Sequence, residues 1–133
     1  MEIKKINHIA VAVEDIEQAT DFWEKTLGLS LDHVEEVQSQ HAKVAFFPCG
    51  DSEIELVQPT DPESSTARFL QTRGPGIHHL CLEVEDIEAA LAELKAKGVR
   101  LINEVPITEP GRKMAFIHPK SSGGVLLELY QLL

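Results

Sequence analysis

Residues 6–19, INHIAVAVEDIEQA, and residues 77–90, IHHLCLEVEDIEAA, are identical at eight of fourteen positions when the chain is slid against itself by 71 residues. Identity of that density, in a chain of 133 residues, marks a duplicated module. The order of features behind the match repeats too. An apolar stretch leads into Glu-Asp-Ile-Glu, then a helical pattern, then Leu27-Gly28-Leu29 in one half and Lys97-Gly98-Val99 in the other.

Apolar residues at helical spacing, Ile16, Ala19, Phe22 and Trp23, then Ile87, Ala90, Leu91 and Leu94, predict one helix in each half. Asp15 and Asp86 suit the N-cap, because a short carboxylate accepts hydrogen bonds from the first free helix N–H groups. Gly28 and Gly98 end each helix. Strand-like segments follow at Leu29–Val37, Ala42–Phe47 and Glu53–Val57, and again at Val99–Val105, Met114–Ile117 and Val125–Tyr130. Each half therefore reads βαβββ. The boundaries are about 1–58 for module one, about 59–76 for a connector, and about 77–133 for module two, all within one domain. The connector, PTDPESSTARFLQTRGPG, frames a short helix near Thr66 to Thr72 between prolines and glycines.

With 43% hydrophobic residues the chain can bury a core. A net charge of −10, with no basic run, argues against nucleic acid as a partner. Cys49 and Cys81 fall in no CxxC spacing and are too few for a disulfide scaffold, which fits a reducing cytoplasm. Both read as small buried residues. The N-terminal Met-Glu-Ile-Lys-Lys enters a strand-like run with no leading apolar segment, so the expectation is a soluble cytoplasmic protein with no membrane partner.

The repeat also carries polar residues into equivalent places. His8 falls on His79, and the closing strands I-E-L-V-Q (54–58) and L-E-L-Y-Q (127–131) set Glu55 on Glu128. Alternation places each glutamate on the face opposite its apolar neighbours, with Glu53 on the same face as Glu55. A carboxylate within a sheet is costly unless it meets solvent, a cation or a donor, and imidazole with carboxylate is an ordinary ligand set for a divalent metal. A lone strand histidine is more often structural and a lone strand glutamate more often solvated; the symmetric quartet is what favours a metal. His78 should point to the other face, while His33, His41 and His118, without repeat partners, read as surface or loop residues.

The paired βαβββ modules, each opening with H-x(6)-D, resemble the vicinal oxygen chelate superfamily, over essentially the whole chain. That resemblance implies an α+β fold in which two tandem modules form an incomplete, curled mixed-sheet barrel around a divalent metal. HIAVAVEDIEQATDFWEKTLGL, FLQTRGPGIHHLCLEVEDIEAAL and FIHPKSSGGVLLELYQ look like the methylmalonyl-CoA epimerase family of that superfamily. By that resemblance the metal ligands are His8, Glu55, His79 and Glu128, the ion is Co, Mn, Ni or Zn, and the protein is an isomerase acting on a CoA thioester through a metal-stabilised enolate. It further implies a homodimer.

The family mechanism uses two bases, one matching Glu128 and one a glutamate in a Glu-Gln/His-Gly segment. Here that segment reads Ser39-Gln40-His41, so the second base falls to His41 or to the nearby Glu36. Lys120, Ser121, Ser122 and Gly123 are candidates for substrate contact, the backbone of SSGG offering N–H groups to a carboxylate, though a plain turn is an equal reading. Lys43, Arg112, Lys113 and Lys120 are candidates for the CoA phosphates, against ordinary solvated surface. Two alternatives stay open. A lactoylglutathione lyase-type isomerase would use the same quartet, and a metal-free small-molecule binding or resistance protein would use the same sheet without it. An extradiol dioxygenase fits less well, since its iron takes three protein ligands.

Overall fold

The computed structural model describes all 133 residues, Met1–Leu133. Its elements run β1 (Ile3–Ala12), α1 (Ile16–Thr20), β2 (His33–Val37), β3 (Ala42–Cys49), β4 (Ser52–Pro59), α2 (Ser65–Arg73), β5 (Gly76–Val84), α3 (Ile87–Ala96), β6 (Ile107–Glu109), β7 (Arg112–Ile117) and β8 (Leu127–Leu132). The chain thus reads βαβββ, a connecting helix, then βαβββ. It packs as two compact units, one of His8–His78 and the other of Met1–Asn7 with His79–Leu133.

In the unit His8–His78 the strand order is β2-β3-β4-β1. β1 runs parallel to β4, with Ala10 opposite Glu55, and β3 runs antiparallel to β4, with Phe46 opposite Glu55. Ile16, Val13, Ala45, Phe47 and Leu56 form the core under α1, with Trp23 packed against it. On the other sheet face lie Ala10, Val37, Ala42, Val44, Phe46 and Val57.

In the other unit the order is β5-β8-β7-β6. β5 runs parallel to β8, with Cys81 opposite Glu128, and β7 runs antiparallel to β8, with Phe116 opposite Glu128. Ile87, Ala90 and Leu91 of α3 close over Val84, Ala115, Ile117 and Leu129.

The helix starts are built alike. Asp15 accepts from the Gln18 N–H at 3.2 Å and Asp86 from the Ala89 N–H at 3.1 Å, as the cap positions require. A second tie, from the closing strands, repeats as well: the Gln58 side chain accepts from the Ile16 N–H at 2.9 Å, and Gln131 from the Ile87 N–H at 2.8 Å. Each helix N-terminus is thereby bound to the strand that carries a glutamate. Gly28 (φ 83°) and Gly98 (φ 79°) follow the helices in the left-handed region, where a side chain would be strained.

Four expectations are corrected. Regular α1 ends at Thr20 and continues as a wider π-helical turn through Thr26; that turn carries more residues than an α-turn, so Phe22 rotates out to half exposure while Trp23 stays inward. Leu29–Leu31 is not strand; β2 begins at His33. Val99–Val105 makes only an isolated pairing of Leu101 with Ile117, and the short edge strand comes after Pro106, which lacks the N–H a ladder needs. Cys49 is exposed, because it sits at the hairpin end of β3 opposite Ser52, beyond the reach of the core.

Candidate metal centre

Glu55 sits mid-strand on β4, 8% exposed, between the buried Ala10 and Phe46 of its neighbouring strands. His8, two residues before Ala10 on the same face of β1, is 2% exposed and places Nδ1 3.0 Å from Glu55 Oε2. The other module repeats this construction. Glu128, 4% exposed on β8, lies between Cys81 and Phe116, and His79, two residues before Cys81, places Nε2 3.0 Å from Glu128 Oε1. In each pair an imidazole nitrogen lies 3.0 Å from a carboxylate that is otherwise withdrawn from solvent, and His79 and Glu128 are hydrogen-bonded. A buried carboxylate is tolerated only with such a partner.

The phenylalanines are part of the construction. The His79 ring meets the Phe116 edge at a centroid distance of 5.4 Å, and in the first module His33 stacks on Phe46 at 4.4 Å. These walls lower the local dielectric and strengthen any charge interaction on this face. Sequence reasoning passed over them, although Lys43-Val-Ala-Phe46 and Lys113-Met-Ala-Phe116 repeat as K-x-A-F.

Glu53 shares the face of Glu55, and its carboxyl is pushed above the ordinary range by burial, with the neighbouring Glu55 charge adding to the effect. His33 is held above the usual imidazole value by its hydrogen bond to Asp32, at 2.6 Å. Burial lowers His118, and Arg100 and Lys120 lower it further; its Nδ1 accepts from the Lys120 N–H at 3.1 Å. His78 turns to the opposite face from His79 and meets the Phe69 ring edge-on at 5.0 Å, a structural role.

His41 is exposed and is the one non-glycine residue with positive φ, at 51°; its carbonyl accepts from the Thr60 N–H at 2.8 Å. The segment Pro119–Ser121 forms one 3-10 turn, and Gly123 and Gly124 (φ 74° and 103°) carry the chain onward. Lys120 and Gly123 are exposed. Ser121 Oγ accepts from the Arg100 N–H at 2.8 Å, and the Ser122 hydroxyl donates to the carbonyls of Pro119 and Val125. The loop is therefore folded by its own side chains. Lys113 is engaged at 2.6 Å with Glu88 of α3, a different surface from that of Glu128.

Residues 7–116 match the model of the Glyoxalase/Bleomycin resistance protein/Dioxygenase superfamily. The chain is 40% identical over 129 residues to the mitochondrial methylmalonyl-CoA epimerase of Homo sapiens, covering 96% of this chain and 73% of that one. It is 38% identical over 133 residues to the ethylmalonyl-CoA/methylmalonyl-CoA epimerase of Cereibacter sphaeroides, covering 98% and 99%.

The chain belongs to the methylmalonyl-CoA epimerase family.

The crystal structure of the methylmalonyl-CoA epimerase from Mycobacterium tuberculosis matches with a TM-score of 0.92 at 35% identity, over 98% of this chain and 89% of that one. The α+β class of paired βαβββ modules expected from the repeat is thus the family's own. The donor set also suits the divalent ion that the resemblance implies. Two imidazoles and two carboxylates, all buried, are borderline nitrogen and hard oxygen ligands of the kind that Zn, Co, Ni and Mn accept.

No helix of the protein is long and apolar enough to cross a membrane.

Proposed function

We propose that this chain is a divalent-metal-dependent epimerase that interconverts the stereoisomers of methylmalonyl-CoA. The observation that carries the reading is the twice-built pair, an imidazole 3.0 Å from a buried glutamate in each module. A divalent ion held by His8, Glu55, His79 and Glu128 would supply Lewis acidity toward the negative charge that develops on the substrate's thioester oxygen.

The protein's own groups handle the proton. Glu128, in a low-dielectric setting beside Phe116, takes the C2 proton, and the electron pair left on C2 moves into the thioester as an enolate. A proton returned to the opposite face of C2 gives the other stereoisomer. His41 is the candidate to return it. The family's glutamate is replaced by Ser39 in this segment, and His41 is the exposed titratable side chain two residues on. Glu36, on β2 opposite Lys43, is the alternative donor.

Lys120, Ser121, Ser122 and Gly123 form the candidate contact with the substrate carboxylate. The hydroxyls of Ser121 and Ser122 and the backbone N–H groups of Lys120, Ser121 and Ser122 are already engaged within the fold, so the Gly123 N–H and the Lys120 ammonium are the better donors. The acting form is a homodimer, as the family resemblance implies, and it works in the cytoplasm, as the low cysteine content suggests.

Incubating one stereoisomer of methylmalonyl-CoA with the metal-replete protein in D₂O should yield both epimers, with deuterium at C2. Absence of exchange in the metal-replete protein would overturn the proposal, and turnover of the glutathione hemithioacetal instead would replace it with the lyase.

A further inference from the structure

The two modules differ at one telling place. Opposite Glu55 stands Ala10, and opposite Glu128 stands Cys81, its equivalent in the repeat. Both are 0% exposed. Packing at this position is thus satisfied by a methyl group in one half, yet the other half carries a sulfur. Cys81 shares its strand face with His79, and its Sγ lies within 4.8 Å of a Glu128 carboxylate oxygen. It packs against Met114 and Tyr130 and is fully buried, so the thiol is shut off from solvent.

Resting on the metal reading above, we propose that Cys81 is a further ligand: in the resting protein its sulfur joins Glu128 on the divalent ion and biases the site toward zinc and cobalt over manganese. Zinc–sulfur and zinc–oxygen bonds of about 2.3 and 2.1 Å set two adjacent donors about 3.1–3.6 Å apart. A separation within 4.8 Å therefore needs only a small side-chain adjustment. Thiolate is the softest donor among the protein's ligand types, and softer divalent ions gain most from it. A substrate that chelates through two oxygens needs two adjacent positions, so the sulfur must give up its place when substrate binds.

Cobalt makes the sulfur visible. Protein stripped of metal and loaded with one equivalent of Co(II) should show a sulfur-to-cobalt charge-transfer band in the near ultraviolet. The Cys49→Ser protein should keep the band, and Cys81→Ala, which restores the residue found in module one, should lose it. Cys81→Ala should also lower the ratio of zinc to manganese affinity. Saturating methylmalonyl-CoA should bleach the band in the wild type. No band in cobalt-loaded wild type, or a band unchanged in Cys81→Ala, would overturn the proposal, as would a band that bound substrate does not alter. Exchange at C2 by cobalt-loaded protein without the band would sink this inference alone. The band in a protein that leaves methylmalonyl-CoA unchanged would sink the epimerase reading alone.

Discussion

Glu55 and Glu128 offer a matched pair of perturbations, because the fold builds them alike. Each is buried, each lies beside a phenylalanine on the antiparallel neighbour, and each has a histidine nitrogen 3.0 Å away. Substituting glutamine at either position keeps the size and one acceptor oxygen but removes the charge and the base. The contact with the histidine then falls from a charged to a neutral one, which costs about 1 kcal/mol in each variant. Stability and packing losses should therefore be nearly equal and cancel in the comparison.

Proton abstraction does not cancel. If Glu128 is the base and Glu55 only a ligand, Glu128→Gln should lower kcat for epimerisation by a further factor of about 10²–10⁴ at equal metal content. That is a difference of about 2.7–5.4 kcal/mol in barrier. The assay is deuterium incorporation at C2, followed by NMR, on both variants at matched metal occupancy by elemental analysis. Equal losses in the two variants would refute the assignment of the base, and a larger loss in Glu55→Gln would reverse it.

His8→Ala and His79→Ala should each strip most of the divalent metal while the circular dichroism stays native; unchanged stoichiometry in either would remove that residue from the ligand set. Leu129→Ala, which empties a 2% exposed site in the cluster under α3, should cost about 2–5 kcal/mol in a denaturant titration. Asp86→Ala should cost about 0.5–2 kcal/mol by the same measurement through loss of the α3 cap, and Asp15→Ala a similar amount at α1. Asp32→Asn should lower the NMR titration midpoint of His33, since the Asp32 hydrogen bond is the main cause of its raised value. The stability from that pair is full below the ordinary 6.5 and is lost as the pH rises through the raised value. It should be small, because both side chains are half exposed or more.

How much of this was legible beforehand follows from what is local and what is not. The 71-residue repeat, the Asp15 and Asp86 caps, the terminal glycines, and the equivalence of His8 with His79 and of Glu55 with Glu128 could all be read from the chain. Duplication copies local patterns, and alternation along a strand fixes which residues share a face. Other features depended on register, which is set by strands distant in sequence. That Phe46 and Phe116 wall the two glutamates, that Gln58 and Gln131 tie the helix starts, and that Cys81 faces Glu128 where Ala10 faces Glu55 are facts about neighbours across a ladder.

The misread segments have the same origin. Val99–Val105 has the composition of a strand, but only Leu101 finds a partner, and a β-propensity without a ladder does not make a strand. Cys49 has the composition of a core residue, but the hairpin turn at Gly50 leaves it in solvent. The sequence by itself determined the two-module plan and the four candidate ligands, because both are written as short repeated patterns. Only the tertiary structure decided which side chains stand across from those ligands, because a strand's neighbours are chosen by the packing of the whole sheet.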